Sequence, residues 1–198
     1  SDSNSCLLKL GMIGETIVNL CFSYDHIPLP FDNTAVNRID TLFRDGMITR
    51  DLTDILHALR KTRNKAVHEN YASVEDGKAL LQMAYSLCEW FMQTYGDWNY
   101  QNQPFVMPSH TPEPTEACKQ NEQAYEAQLM KEAAKTAAAA PVIGKEIRKK
   151  RSGIAASQRV KSEAETRYLI DEQLRKVGWE ADTECLRYSK GTRPAKGR

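Results

Sequence analysis

No C-x-x-C pair occurs in this chain of 198 residues. Its five cysteines, Cys6, Cys21, Cys88, Cys118 and Cys185, are odd in number and scattered. That excludes a zinc ribbon or a disulfide framework and points to a reducing, cytoplasmic compartment. No secretory leader and no apolar run of membrane length is read along the chain, so it is expected to be soluble, with no membrane partner. No G-x-x-x-x-G-K-[ST] loop is present, so nothing here is equipped to hydrolyse ATP. A nucleophile elbow, a metal-spaced pair of histidines and an internal repeat are all missing. So is a second carboxylate followed by E-x-K on strands. His26, His57 and His110 stand alone and are expected to pack or to lie on the surface.

What is present is helical. Residues 1–100 read as one bundle domain. Leu7, Leu10, Ile13, Ile17, Leu20 and Cys21 mark a first helix, which ends before the turn His26-Ile27-Pro28-Leu29-Pro30. Asp32 is placed to cap a second helix carrying Val36, Ile39, Leu42 and Phe43, which stops near Gly46. A third runs from about Thr49 to Glu69 with Leu52, Ile55, Leu56, Leu59 and Val67 inside. The fourth starts at Ser73, carries Leu80, Met83, Ala84, Leu87, Phe91 and Tyr95, and stops at Gly96. Four helices of this length with short connections fit an antiparallel bundle. Trp90 and Trp98 are expected to pack in it.

Residues 101–160 read as a linker region. Pro104, Pro108, Pro112 and Pro114 break any helix across 97–116. Residues 117–140 return to a helix-forming composition with few large apolar side chains, an exposed helix or semi-rigid spacer. The run GKEIRKKRSG within 144–161 reads as a basic loop or tether. Charge is divided along the chain: residues 1–100 hold 9 Lys and Arg against 13 Asp and Glu, while residues 141–198 hold 15 against 8. A basic end attracts nucleic-acid phosphate, and Lys149, Lys150, Arg151, Lys190 and Arg193 are the candidates for that contact. A solvated basic face explains the same residues without a ligand.

Residues 161–198 form a third unit. Ser162 precedes Glu165 by three residues, the spacing of a capping box. Ala164, Ile170, Leu174 and Val177 then give an apolar stripe, Arg175 and Lys176 fall in the last turn, and Gly178 is the stop. Trp179, expected as an anchor under this helix, opens a weak strand pattern to Tyr188. One helix and one or two strands cannot bury such a stripe by themselves. A second chain or a continuation of this one is expected to cover it.

Two clusters could carry chemistry. On the third helix, Asn64 and His68 are i,i+4 and share a face, with Arg63 about 140° around from His68. Such a trio could cleave RNA without metal, the imidazole moving the 2′-hydroxyl proton and the guanidinium steadying the charge that grows on phosphate. Alternatively Asn64 and His68 hold the loop that follows by hydrogen bonds at the helix end. On the last helix, Glu163 could ligate a divalent metal as one member of an incomplete nuclease site, with Arg167 one turn on contacting phosphate. First-turn dipole stabilisation of Glu163 and pairing with Arg167 is the alternative.

Three segments in order resemble the N-terminal region of the R (restriction) subunit of type I restriction–modification enzymes: LHALRKTRNKAVHEN, FVMP, and SEAETRYLIDEQLRKVGW followed by LRYSKGTRP. The resemblance implies a mainly α chain. A helical bundle and helical spacer would lead into the first helix and strands of an incomplete α/β PD-(D/E)xK nuclease domain, with Glu163 and Arg167 as the parts of its site present here. It implies a full-length protein that cuts DNA with Mg and translocates it as a helicase-type motor with ATP, alongside modification and specificity subunits. The fragment itself would bind no cofactor. The bundle also resembles the HEPN group, whose ribonuclease members use R-x4-6-H, a spacing that Arg63 and His68 match.

Overall fold

The computed structural model describes residues 3–108 and 116–179, with the side chains of 116–123 not described. Seven helices are formed among them and no strand: α1 (Ser3–Tyr24), α2 (Ala35–Arg44), α3 (Arg50–His68), α4 (Val74–Tyr95), α5 (Glu116–Ala139), α6 (Lys145–Ser157) and α7 (Glu163–Lys176). The strand pattern beyond Trp179 lies outside the described residues.

α1 to α4 close around one core. Leu7, Leu10, Ile17 and Val18 of α1 meet Leu52, Ile55, Leu56 and Leu59 of α3 and Leu80, Met83, Leu87 and Trp90 of α4. At roughly 1.5–3 kcal/mol for each large apolar side chain, this burial dominates the stability of the bundle. α1 lies close on α3 because two of its inward positions are glycine: a Cβ on Gly11 would sit 2.3 Å from the Cβ of Arg63, and one on Gly14 would sit 3.2 Å from Leu59. Against the expectation that no run of membrane length is present, α1 is long and apolar enough to cross a bilayer by length and composition. Its apolar side is spent in the bundle, where Leu7, Leu10, Ile17, Val18, Cys21 and Phe22 are buried.

The helix starts follow local chemistry. Ser73 caps α4, its hydroxyl accepting from the N–H of Asp76 at 3.1 Å. At α2 the cap is Thr34, not Asp32: Thr34 accepts from the N–H of Asn37, while Asp32 accepts from the Asn37 side-chain amide at 2.8 Å.

The later helices return to the bundle. α5 lies along α1, where its Ala137 is fully buried and its Glu126 pairs with Lys9 at 3.2 Å. The stretch 145–157, expected as a basic loop, is the helix α6, and it packs on α4. Its inward face is polar in sequence and so was hidden: Arg148, Ser152 and Ala155, spaced four and three apart, are the buried residues. Arg148 donates from Nε to Asp25 at 2.9 Å and to the carbonyl of Thr94, and its guanidinium lies 4.1 Å from the Tyr95 ring centroid. Ser152 donates to the carbonyl of Met47 at 2.7 Å and accepts from the Trp90 indole. Arg148 and Ser152 thus both have partners for their inward polar atoms, which is the condition for burying them, while the Thr94 hydroxyl in the same seam is buried without one.

α7 crosses α4 by a face other than the expected stripe. Its buried residues are Glu165 and Tyr168, while Ile170 and Val177 are 48% and 64% exposed. Glu165 shares a buried ion pair of 2.7 Å with Arg159, which also reaches Ser86. The Tyr168 hydroxyl meets that of Thr62 at 2.7 Å. These polar anchors outweigh the apolar stripe in deciding which face turns in, because each is fully partnered only in this orientation.

Candidate functional site

A groove of about 980 Å³ runs between the first half of α4 and the outer side of α7. Its walls carry both signs of charge: Lys65, Arg167 and Arg175 against Glu75, Asp76, Glu163 and Asp171. At its floor Tyr71 donates to Asp76 at 2.6 Å. Burial first, and the neighbouring Asp76 carboxylate second, push the Tyr71 phenol up to about 12. It is therefore a neutral donor at any physiological pH.

Glu163 and Arg167 line this groove together. They pair across one helical turn at 2.8 Å, with Glu163 86% exposed. Half of the expected capping box is formed: the Ser162 hydroxyl accepts from the Glu165 N–H at 3.0 Å. The Glu165 carboxylate goes instead to Arg159. Among the described residues no group of three His, Cys, Asp or Glu side chains is placed to hold a metal ion. A carboxylate already committed to Arg167 in open solvent does not make a divalent-cation site by itself.

Arg63 and His68 are not drawn into one pocket. Arg63 leaves α3 toward α1, donates to Glu15 at 2.8 Å, and lines a separate small pocket between α1, α2 and α3. Asn64 and His68 are exposed and line neither that pocket nor the groove.

The basic candidates on α6 differ among themselves. Lys150 is exposed. Lys149 pairs with Glu146 at 3.1 Å and lies beside Gly46. Arg151 stacks over Trp98 at 5.5 Å from the ring centroid, so Trp98 is an exposed platform for a cation where bundle packing was expected; Trp90 is buried as expected. Lys190 and Arg193 lie outside the described residues.

Sequence reasoning missed the two buried arginines. Arg148 and Arg159 are 1% and 2% exposed at their side chains, yet both sit in a stretch whose charge density reads as solvated. The available signal was spacing: Arg148, Ser152 and Ala155 repeat at helical period.

A family model described as a domain of unknown function (DUF4145) matches residues 1–136. The chain is 26% identical, over 248 aligned residues, to the endonuclease subunit of the type I restriction enzyme EcoKI from Escherichia coli (strain K12). That alignment covers 99% of this chain and 21% of the relative, so the chain spans about a fifth of the relative's length. No solved structure matches.

Proposed function

The chain belongs to the DUF4145 family, and from that premise we propose that it is the N-terminal region of the restriction subunit of a type I restriction enzyme or a closely related helicase–nuclease. The observation that carries this reading is the similarity to such a subunit along 99% of the chain, at 26% identity. It agrees with the three ordered motifs: the end of α3, the FVMP segment, and the whole of α7.

On this reading residues 1–100 form a docking domain and 101–160 a spacer folded back on it. Residues 161–198 begin a PD-(D/E)xK nuclease layer whose remaining acids belong to other residues. The exposed Ile170 and Val177 support that last point, because an α7 packed on the bundle by Glu165 and Tyr168 still has an apolar side for a sheet. Mg and ATP are then requirements of the full-length protein, and modification and specificity subunits its partners. Lys149, Lys150 and Arg151 would approach DNA through its phosphates, a contact that weakens steeply with salt. Lys190 and Arg193, outside the described residues, are candidates for the same phosphate contact by charge.

The test is incubation of the chain with supercoiled plasmid and Mg. No nicking or linearisation is expected, and robust cleavage would refute an incomplete site.

The HEPN-like ribonuclease reading rests on the Arg63–His68 spacing and is less supported, since Arg63 is held by Glu15 on the α1 side. RNA cleavage in EDTA that is lost in His68→Ala would reinstate it.

A further inference from the structure

Trp98 stands at the tip of the turn that follows α4. The Tyr100 N–H donates to the Asp97 carbonyl at 2.9 Å, and the Asp97 carboxylate accepts from the Asn99 N–H at 2.9 Å. Tyr100 is pinned twice more: its hydroxyl donates to the buried Glu89 at 2.6 Å, and its carbonyl accepts from Gln93 at 3.2 Å. Gln93 also donates to Gln158, the C-cap of α6, at 3.1 Å, so the turn and α6 are tied together. Within this fixed frame the indole is still 39% exposed. A ring placed in advance gives up little freedom when a flat ligand lands on it.

Arg151 flanks that ring, its guanidinium 5.5 Å from the centroid. A surface cation over an aromatic ring is ordinary by itself. This one lies where charge is unspent. Lys145 pairs with Asp45 at 3.0 Å and Lys149 with Glu146 at 3.1 Å. Among the described residues Lys150 and Arg151 have no acidic partner, and Arg151 makes no hydrogen bond. None of its nitrogens is buried, so its N–H groups are open to an acceptor. α6 turns Arg148, Ser152 and Ala155 inward, which leaves Lys150 facing away from the bundle, about 100° around the helix from Arg151.

An open aromatic face beside open cations matches a base with its phosphate attached. Inside a duplex a base is stacked on its neighbours and cannot reach such a face without leaving the helix. A duplex phosphate would need Lys150 and Arg151 alone and has no use for Trp98. We propose that Trp98, Arg151 and Lys150 bind single-stranded nucleic acid, the indole stacking one unpaired base and the two cations meeting the adjoining phosphates. This rests on the reading that α6 approaches DNA, and it adds the form of strand that α6 takes.

The experiment uses the full chain. Fluorescence anisotropy across a salt series follows a labelled oligothymidylate, an abasic strand of equal length and charge, and a duplex. The proteins are wild type, Trp98→Ala, Trp98→Phe, Lys150→Gln and the control Lys78→Gln in the first half of α4. Wild type is expected to prefer oligothymidylate to the abasic strand by about fivefold or more, the lower end for one base stacked on an aromatic ring. Trp98→Ala should erase that preference and leave the abasic affinity and the salt slope as they were, while Trp98→Phe keeps most of it. Lys150→Gln should weaken both strands alike and lower the salt slope by about 0.7, and Lys78→Gln should change neither. Should Trp98→Ala fail to fold, as judged by circular dichroism, quenching of indole emission by oligothymidylate in wild type and its loss in Trp98→Phe carries the same expectation. Oligouridylate assigns the strand: weaker binding than oligothymidylate assigns DNA, and equal or tighter binding extends the site to RNA. Equal affinity for the abasic strand overturns the proposal, as does an undiminished preference in Trp98→Ala. If Lys150→Gln still weakens duplex binding in that case, the reading of α6 as a DNA-facing helix stands without it. No binding of any strand overturns both.

Discussion

Replacing Arg148 by methionine asks whether α6 is a true part of the bundle. The side chain is 1% exposed and its partner Asp25 is 5% exposed. Arg148→Met removes the 2.9 Å ion pair, the bond to the Thr94 carbonyl and the contact with the Tyr95 ring together. Asp25 would keep only the Tyr95 hydroxyl, at 2.8 Å, around a buried negative charge. Removing one partner of a buried pair costs about 3–5 kcal/mol, most of it the stranded charge and not the lost attraction. In a chain of this size that corresponds to a fall in Tm of roughly 6–20 °C. Urea denaturation followed by far-UV circular dichroism reads the free energy, and amide exchange over 145–157 reports whether α6 has come away. The double variant Arg148→Met, Asp25→Asn should recover at least half of the loss, because the stranded charge is then gone. A single variant within about 1 kcal/mol of wild type would refute the reasoning, since that is the range of an exposed pair. It would return 145–157 to the basic tether expected from its sequence.

Gly11→Ala and Gly77→Ala should have opposite signs. The first forces a Cβ to 2.3 Å from the Cβ of Arg63, so α1 and α3 must part, at about 1–3 kcal/mol; the second meets nothing within 4 Å inside α4 and should stabilise by about 0.5–1 kcal/mol. Thermal unfolding of the two variants checks this, and loss of stability in both would break the distinction. His57 predicts a pH dependence. Burial depresses its imidazole below the ordinary range and outweighs the Asp40 carboxylate 3.4 Å away, with Arg60 adding to the depression. The unfolded chain therefore takes up the proton first as pH falls, so stability is full above about pH 6.5 and declines below it toward the folded value. His57→Gln should flatten the change in urea midpoint between pH 7.5 and pH 5.5, and an unaltered slope would dismiss His57 as its source.

The bundle was legible because its helices bury leucine, isoleucine and methionine at helical period between recognisable stops. Ser73 and Gly96 bracket α4 as read, and α3 spans Arg50–His68 against an expected Thr49–Glu69. α6 and the inner face of α7 were not legible for a common reason. Beside a few apolar contacts from Ala155, Ala156 and Leu169, their contacts with the bundle are made by Arg148, Ser152, Arg159 and Tyr168, polar or amphipathic residue types that sequence reasoning does not assign to a core unless a specific partner is known. Those partners, Asp25, Met47, Ser86 and Thr62, lie more than 70 residues away, and no local pattern announces them. The small arginine-lined pocket was hidden in the same way: Arg38 and Arg60 belong to different helices and come together only where α2 packs on α3.

A polar seam differs from a greasy one in what it does to orientation. Apolar side chains accept many rotations of a helix at small differences in energy, whereas a buried ion pair such as Arg159–Glu165 is satisfied only within hydrogen-bonding distance. Arg159 and the Tyr168 contact with Thr62 therefore fix the rotation of α7 about its own axis as well as its place on α4. The consequence falls on the opposite side of that helix. With Glu165 and Tyr168 turned in, Ile170 and Val177 are held outward in a set direction, and Glu163 and Arg167 stay at the groove mouth. Any element that packs on Ile170 and Val177 would then meet the bundle in one register, set by Arg159, Glu165 and Tyr168.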